Sequence, residues 1–171
     1  MRLEDGDVVL RPFVDADIPA IVVACQDPEI PRWTSVPSPY TEEDARSFVA
    51  GLPNVHSFAV VDADDGALLG CVGYQLLNHS RATFGYWVAR EARGRGIASR
   101  ALRLLSHWAL REHGLARVQL IVEPHNVASI RVAENAGFKR EALLRSYIEL
   151  HGRRRDVYLY ALLAEDVAVE L

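Results

Sequence analysis

The stretch from Thr83 to Val122 leaves this chain few ways to fold. Thr83 to Ala89 reads as a strand, with Phe84, Tyr86 and Val88 on one face because successive strand side chains point to opposite sides. Arg90-Glu91-Ala92-Arg93-Gly94-Arg95-Gly96 follows as a charged, glycine-containing loop. Ile97, Ala101, Leu105 and Trp108, with Ala98, Leu102 and Ala109, then form a wide apolar stripe at helical spacing. The helix is expected to end at His113-Gly114, and Val118, Leu120 and Val122 alternate as a further strand stopped by Pro124. Strand, crossover helix and strand make a βαβ unit whose two strands run parallel. Its loop can also hold an anion: glycines let backbone N–H groups approach closely, and the unpaired N–H groups of a helix start point at the ligand. A connection that merely turns the chain would need the same glycines, but three arginines and the small Ala98 favour a pyrophosphate. A dinucleotide site would carry glycine where Ser99 stands, and a Walker loop would carry Lys where Ile97 stands, so NAD and ATP are disfavoured.

The rest of the chain supplies a sheet for this unit. Val8 to Phe13 reads as a strand, and Asp15-Ala16-Asp17 offers an N-cap for a helical segment, Ile18 to Cys25. Residues 28–41 hold four prolines, Trp33 and Tyr40, predicting an ordered loop with aromatic anchors rather than regular helix. Thr41-Glu42-Glu43-Asp44 resembles a capping box for a helix to about Ala50, with Gly51 as its C-cap. Ser57 to Asp62, Ala67 to Leu77 and Thr83 to Ala89 make an antiparallel meander. Asn126 caps a short helix to about Asn135, closed by Gly137, and Phe138 to Glu149 with Arg154 to Leu163 read as a long hairpin about His151-Gly152. The order β-α-α-β-β-β-α-β-α-β-β predicts one α/β (α+β) domain over residues 1–171, a mixed and mostly antiparallel seven-stranded sheet flanked by about four helices.

Charge and cysteine content narrow the partners. Lys and Arg total 19 against 23 Asp and Glu, a net charge of −4, without the field that draws a chain to nucleic acid or an anionic bilayer. Lys139 is the single lysine; codon bias accounts for most of the arginines, yet Arg90, Arg93 and Arg95 fall in the anion loop. Cys25 and Cys71 are far apart and the histidines are scattered, so neither a disulfide framework nor a metal site is expected. The N-terminus lacks a basic start followed by an apolar region, and no apolar run approaches the roughly 18 residues of a span. The expectation is a cytoplasmic protein, monomer or homodimer, with no nucleic-acid or membrane partner. Arg153-Arg154-Arg155 at the hairpin turn is expected to be a solvated charge run.

Arg93-x-x-Gly96-x-Ala98 is similar to the Gln/Arg-x-x-Gly-x-Gly/Ala signature of the GCN5-related N-acetyltransferases (GNAT), and the order of elements resembles that family over almost the whole chain. Asn126-x-x-Ser129 followed by Gly137-Phe138, the opening Leu10-Arg11-Pro12 and the closing Asp156-x-x-x-Tyr160 resemble the branch of ribosomal-protein N-terminal acetyltransferases, RimJ and RimL, and of spermidine acetyltransferase. The resemblance implies acetyl-CoA as cosubstrate, with no metal. Its pantetheine arm would lie on Trp87, Val88 and Ala89, its phosphates on Arg93, Gly94, Arg95, Gly96, Ile97 and Ala98, and its amides near Asn126 and Ser129; Asn126 would equally serve as a plain N-cap.

Attack of an amine on a thioester requires a base for the ammonium, donors for an oxyanion and an acid for the thiolate. Many relatives in other branches place a Tyr acid seven residues after the Asn, where this chain has Ala133; the ribosomal branch uses the Ser, which matches Ser129. Without the resemblance, Ser129 would read as an ordinary first-turn hydroxyl. The branch's proposed base, a Glu on the penultimate strand, falls nearest Ile148, beside Glu149. Glu123, at the end of the second parallel strand, is the leading candidate base, with His125, Glu149 or a bridging water behind it. Trp33, Tyr40, Tyr147 and Glu149 are expected to shape the pocket for the acceptor, a peptide N-terminus or a small-molecule amine. Rival readings are a non-catalytic acyl-CoA sensor and a transferase of a longer acyl group such as succinyl.

Overall fold

Eight strands form among the described residues, 1–167 of the computed structural model, most of them from period-two apolar patterning. They are β1 (Leu3–Asp5), β2 (Val8–Pro12), β3 (Val55–Asp62), β4 (Leu68–Leu77), β5 (Arg81–Val88), β6 (Arg117–Val122), β7 (Lys139–Leu150) and β8 (Arg153–Leu163). The helices are α1 (Ile18–Ala24), α2 (Glu29–Trp33), α3 (Glu42–Ala50), α4 (Ile97–Arg111) and α5 (Val127–Asn135). All strands join one sheet in the order β1-β2-β3-β4-β5-β6-β8-β7, antiparallel except for the β5/β6 pair.

Two elements exceed the sequence expectation. The extra strand, β1, has three residues, too few to show alternation; Gly6 at φ +60° turns it back onto β2, pairing Leu3 with Leu10. Five α-helices replace about four because Glu29–Trp33 closes one helical turn inside the proline-rich segment. Pro28 stands at its N-cap and Pro31 in its first turn, where a missing N–H breaks no intrahelical bond. The anticipated caps form elsewhere: Thr41 Oγ1 accepts from Asp44 N–H while Asp44 accepts from Thr41 N–H, and Asn126 Oδ1 accepts from Ser129 N–H.

Helices cover both faces. Ile97, Ala101, Leu102, Leu105 and Ala109 of α4 and Ala133 of α5 pack with Val8, Leu10, Val60, Val72, Phe84, Val118, Leu120 and Tyr160 of the sheet. Each large apolar side chain buried here contributes about 1.5–3 kcal/mol. On the other face Ile18, Ile21, Cys25, Ile30 and Ala45 gather around Cys71 and Trp87. Between these layers β5 and β6 pair only from Arg81 with Arg117 to Thr83 with Gln119. Beyond that point the two strands are no longer paired, and the sheet opens.

Candidate active site

The opening is a cleft of about 810 Å³ bordered by Phe84 to Val88 of β5, Leu120 to Val122 of β6 and Glu123 just past the end of that strand. Its far wall is the start of α4, and its flank is α5. Gly94 and Gly96 adopt φ +75° and +72°, in the left-handed region that glycine enters without strain. A Cβ on either would meet no atom within 4 Å, so the space above the loop is open. Gly96, as N-cap, gives α4 no side-chain acceptor, while Arg100 N–H already bonds Gly96 O. The N–H groups of Ile97, Ala98 and Ser99 are therefore the orphan donors of a 15-residue helix, and the residues bearing them line the cleft. An open glycine cradle beneath uncapped N–H groups fits a pyrophosphate.

The arginines of this loop are mostly engaged away from it. Arg93 donates from Nε and Nη2 to Val88 O, at 3.2 and 3.0 Å, and pairs through Nη1 with Asp27 at 2.6 Å. Arg95 lies outside the cleft lining and faces Asp7 and Asp62 at 3.7 and 3.6 Å. Backbone donors thus provide more of the cradle than the arginine count implied. Arg131 of α5, which sequence reasoning passed over, lines the cleft from the opposite flank. Trp87 and Val88 border the cleft; Ala89 is buried, and its N–H is taken by Leu69 O.

The chemical groups divide between the faces of the sheet. On the α4/α5 face, the Tyr86 hydroxyl is hydrogen-bonded to Ser129 Oγ in the first turn of α5. Burial pushes the Tyr86 phenol up to about 12, although its bond with Ser129 opposes the shift. Ala133 is sealed in the core, so the position where other branches carry a Tyr offers no hydroxyl to the cleft. Toward the other face, Glu123 borders the cleft with its side chain only 10% exposed. Arg155 of β8 bonds its Oε2 at 3.1 Å, while the buried Oε1 has no hydrogen-bond partner among the described residues. Arg155 is thereby removed from the solvated charge run expected at the turn.

The cleft is also lined by Trp33, Thr34, Ser35, Ile148 and Val157. His151 Nε2 meets Pro31 O at 2.5 Å, tying the β7/β8 turn to α2. Tyr40 lies in the core beneath α1 and α3, where burial pushes its phenol up to about 12. Tyr147 and Glu149 are exposed and lie outside the cleft lining; Ile148 between them faces it. His125 is exposed and also outside. The structure therefore brings together Trp33, Trp87, Val88, Arg93, Gly94, Gly96, Ile97, Ala98, Glu123, Asn126 and Ser129, and leaves Ala89, Arg95, Tyr40, Tyr147 and Glu149 apart.

Residues 7–139 match the model of the acetyltransferase (GNAT) domain. The chain belongs to the GNAT family. Among GNAT relatives, the N-acetyltransferase p20 of Bacillus licheniformis is 28% identical, with 98% of this chain and 92% of that protein covered. The ribosomal-protein-serine acetyltransferase of Escherichia coli is 30% identical, over 71% of each chain. A GNAT acetyltransferase from Bacillus anthracis superposes with a TM-score of 0.89 at 25% identity, covering 96% of this chain and 99% of that one. RimJ of Mycobacterium smegmatis, solved with a CoA-disulfide, gives 0.84 at 27% identity, covering 98% and 88%. No helix of the described GNAT domain is long and apolar enough to cross a membrane. Besides Arg131, sequence reasoning missed Tyr86 and Arg155: their partners, Ser129 and Glu123, lie 43 and 32 positions away and become neighbours only in the folded chain.

Proposed function

We propose that this GNAT domain transfers an acetyl group from acetyl-CoA to a primary amine by direct attack in a ternary complex. The observation that carries the reading is the gap between β5 and β6, with anion donors at one end, hydroxyls on one face and a buried carboxylate toward the other. Acetyl-CoA would rest its pyrophosphate on Gly94 to Ala98 and its pantetheine arm along Trp87 and Val88, near Asn126. Its thioester then spans the opening, where an amine from the α2 side meets the carbonyl carbon. Glu123 Oε1, left free by Arg155, accepts the ammonium proton directly or through water, and Ser129 gives a proton to the departing sulfur. Attack and departure proceed from opposite faces, so neither group crowds the other.

The cleft also bears on the acceptor. Its lining has two carboxylates, Glu29 and Glu123, and the second is paired with Arg155. That suits one ammonium, as on a protein or peptide N-terminus, better than the several charges of a polyamine. Relatives that act on ribosomal proteins support the same acceptor class.

The deciding experiment measures free CoA release over N-terminal peptides and small amines, using acetyl-CoA and succinyl-CoA, for native protein and the Glu123→Gln and Ser129→Ala variants. Peptide-dependent release with acetyl-CoA, lowered about 100-fold or more in both variants, is the expected result. Binding without release for any acceptor would instead make the protein an acyl-CoA sensor. Preference for succinyl-CoA would change the acyl donor and leave the cleft assignment standing.

A further inference from the structure

We propose that Tyr86 is a positioning residue of the transfer step: it supplies the proton that Ser129 passes to the departing thiolate, so that the two hydroxyls act as one acid. The proposal rests on the acetyl-transfer reading and extends it by a residue.

Three observations converge on the pair. Tyr86 projects from β5 beyond the last β5/β6 pairing, where the sheet has opened, and both Tyr86 and Ser129 border the cleft. Their hydroxyls are hydrogen-bonded to each other, joining β5 to the first turn of α5. That turn is held by the bond from Ser129 N–H to Asn126 Oδ1 at 3.2 Å, which keeps Ser129 at the cleft wall. Two residues earlier on the same face of β5, Phe84 fills its place in the core with no hydroxyl. An aromatic ring at position 86 would satisfy packing alone; its oxygen is used by Ser129.

The chemistry explains why Ser129 needs a second group. An aliphatic hydroxyl is a far weaker acid than a thiol, and giving up its proton unaided would leave an alkoxide in a partly buried cleft. A phenol ordinarily titrates near 10 and is much closer to a thiol. With burial holding Tyr86 up to about 12, its proton is in place at neutral pH. In the balanced step the amine nitrogen bonds to the carbonyl carbon, and the carbon–sulfur bond breaks with its electron pair going to sulfur. The Ser129 Oγ–H proton moves to sulfur while the Tyr86 Oη–H proton moves to Ser129 Oγ. Tyr86, left as phenolate, takes a proton from water as products depart, and the proton lost by the amine leaves through Glu123 or water.

The test compares Tyr86→Phe, Ser129→Ala, the double variant and a protein carrying ring-fluorinated tyrosine at 86. Each single substitution should lower kcat by about 100-fold, with KM for acetyl-CoA within about threefold of native. The double variant should be no slower than the worse single one, because the hydroxyls act as a unit. Fluorination keeps the ring and hydroxyl but acidifies the phenol, so the alkaline limb of the kcat–pH profile should move to lower pH by the same amount. A merely structural hydroxyl leaves that limb fixed, and a fixed limb overturns the relay even if Tyr86→Phe fails to fold. Tyr86→Phe with native kcat beside an inactive Ser129→Ala removes the relay and leaves Ser129 as acid. Native kcat in both removes the acid role of Ser129 as well.

Discussion

Glu123 and Arg155 illustrate how much of this site is settled one side chain at a time. The carboxylate is nearly buried, one oxygen bonded to Arg155 and the other unpartnered. Removing the guanidinium strands a buried charge, so Arg155→Ala should destabilise the protein by about 2 kcal/mol in urea titration and also raise KM for the amine. Far from the cleft, Asp17 accepts two bonds of 2.8 Å from Arg11 and one of 2.9 Å from Val14 N–H. The Arg11 guanidinium holds its carboxyl below the usual range, against the opposing effect of burial, and the Val14 bond adds to it. A carboxylate more acidic in the folded state contributes stability that is complete above its unfolded value near 3.9 and lost as pH falls through its folded value. Asp17→Asn should therefore cost about 1–3 kcal/mol at pH 7 and leave stability flatter between neutral pH and the acid region, measured by urea unfolding across that range.

At the scale of elements, the start of α4 combines two demands on one residue. Gly96 must hold a left-handed conformation, and the space a Cβ would fill must stay open. Gly96→Ala should cost about 1–2 kcal/mol through backbone strain, lowering Tm by roughly 2–8 °C, and should abolish the further rise in Tm that acetyl-CoA gives the native protein. Differential scanning with and without acetyl-CoA separates the two losses. The helix itself was legible in the sequence, since the stripe from Ile97 to Ala109 repeats at helical spacing and the structure buries it. Strand β1 and helix α2 were not legible. Each is too short for a periodic signal and forms because a neighbour holds it: Arg100 and Arg103 pair with Asp5 of β1, and the β7/β8 turn meets α2 through His151.

Over the whole molecule, the cleft exists because the sheet is held open between β5 and β6 while helices close both faces. A ligand that enters this gap binds the folded chain alone, so acetyl-CoA at 100 times its Kd should stabilise it by about 2.7 kcal/mol and raise Tm by roughly 5–10 °C. No rise at such excess would remove both the transferase and the sensor readings. The sequence by itself determined the βαβ unit, the glycine cradle, the Asn126 cap and the layered α/β order, because each is written in local spacing: period two, period 3.6, or a residue that only one backbone conformation suits. Tertiary structure decided which side chains share the cleft. It turned the arginines at 93 and 95 toward Asp27, Asp7 and Asp62, withdrew Tyr40 into the core, placed Ile148 rather than Glu149 at the opening, and paired Glu123 with Arg155 and Ser129 with Tyr86. Those pairings join residues distant along the chain. Their geometry depends on how far β5 and β6 separate and on which strand fills the next place in the sheet, and neither is encoded in the spacing of any one segment.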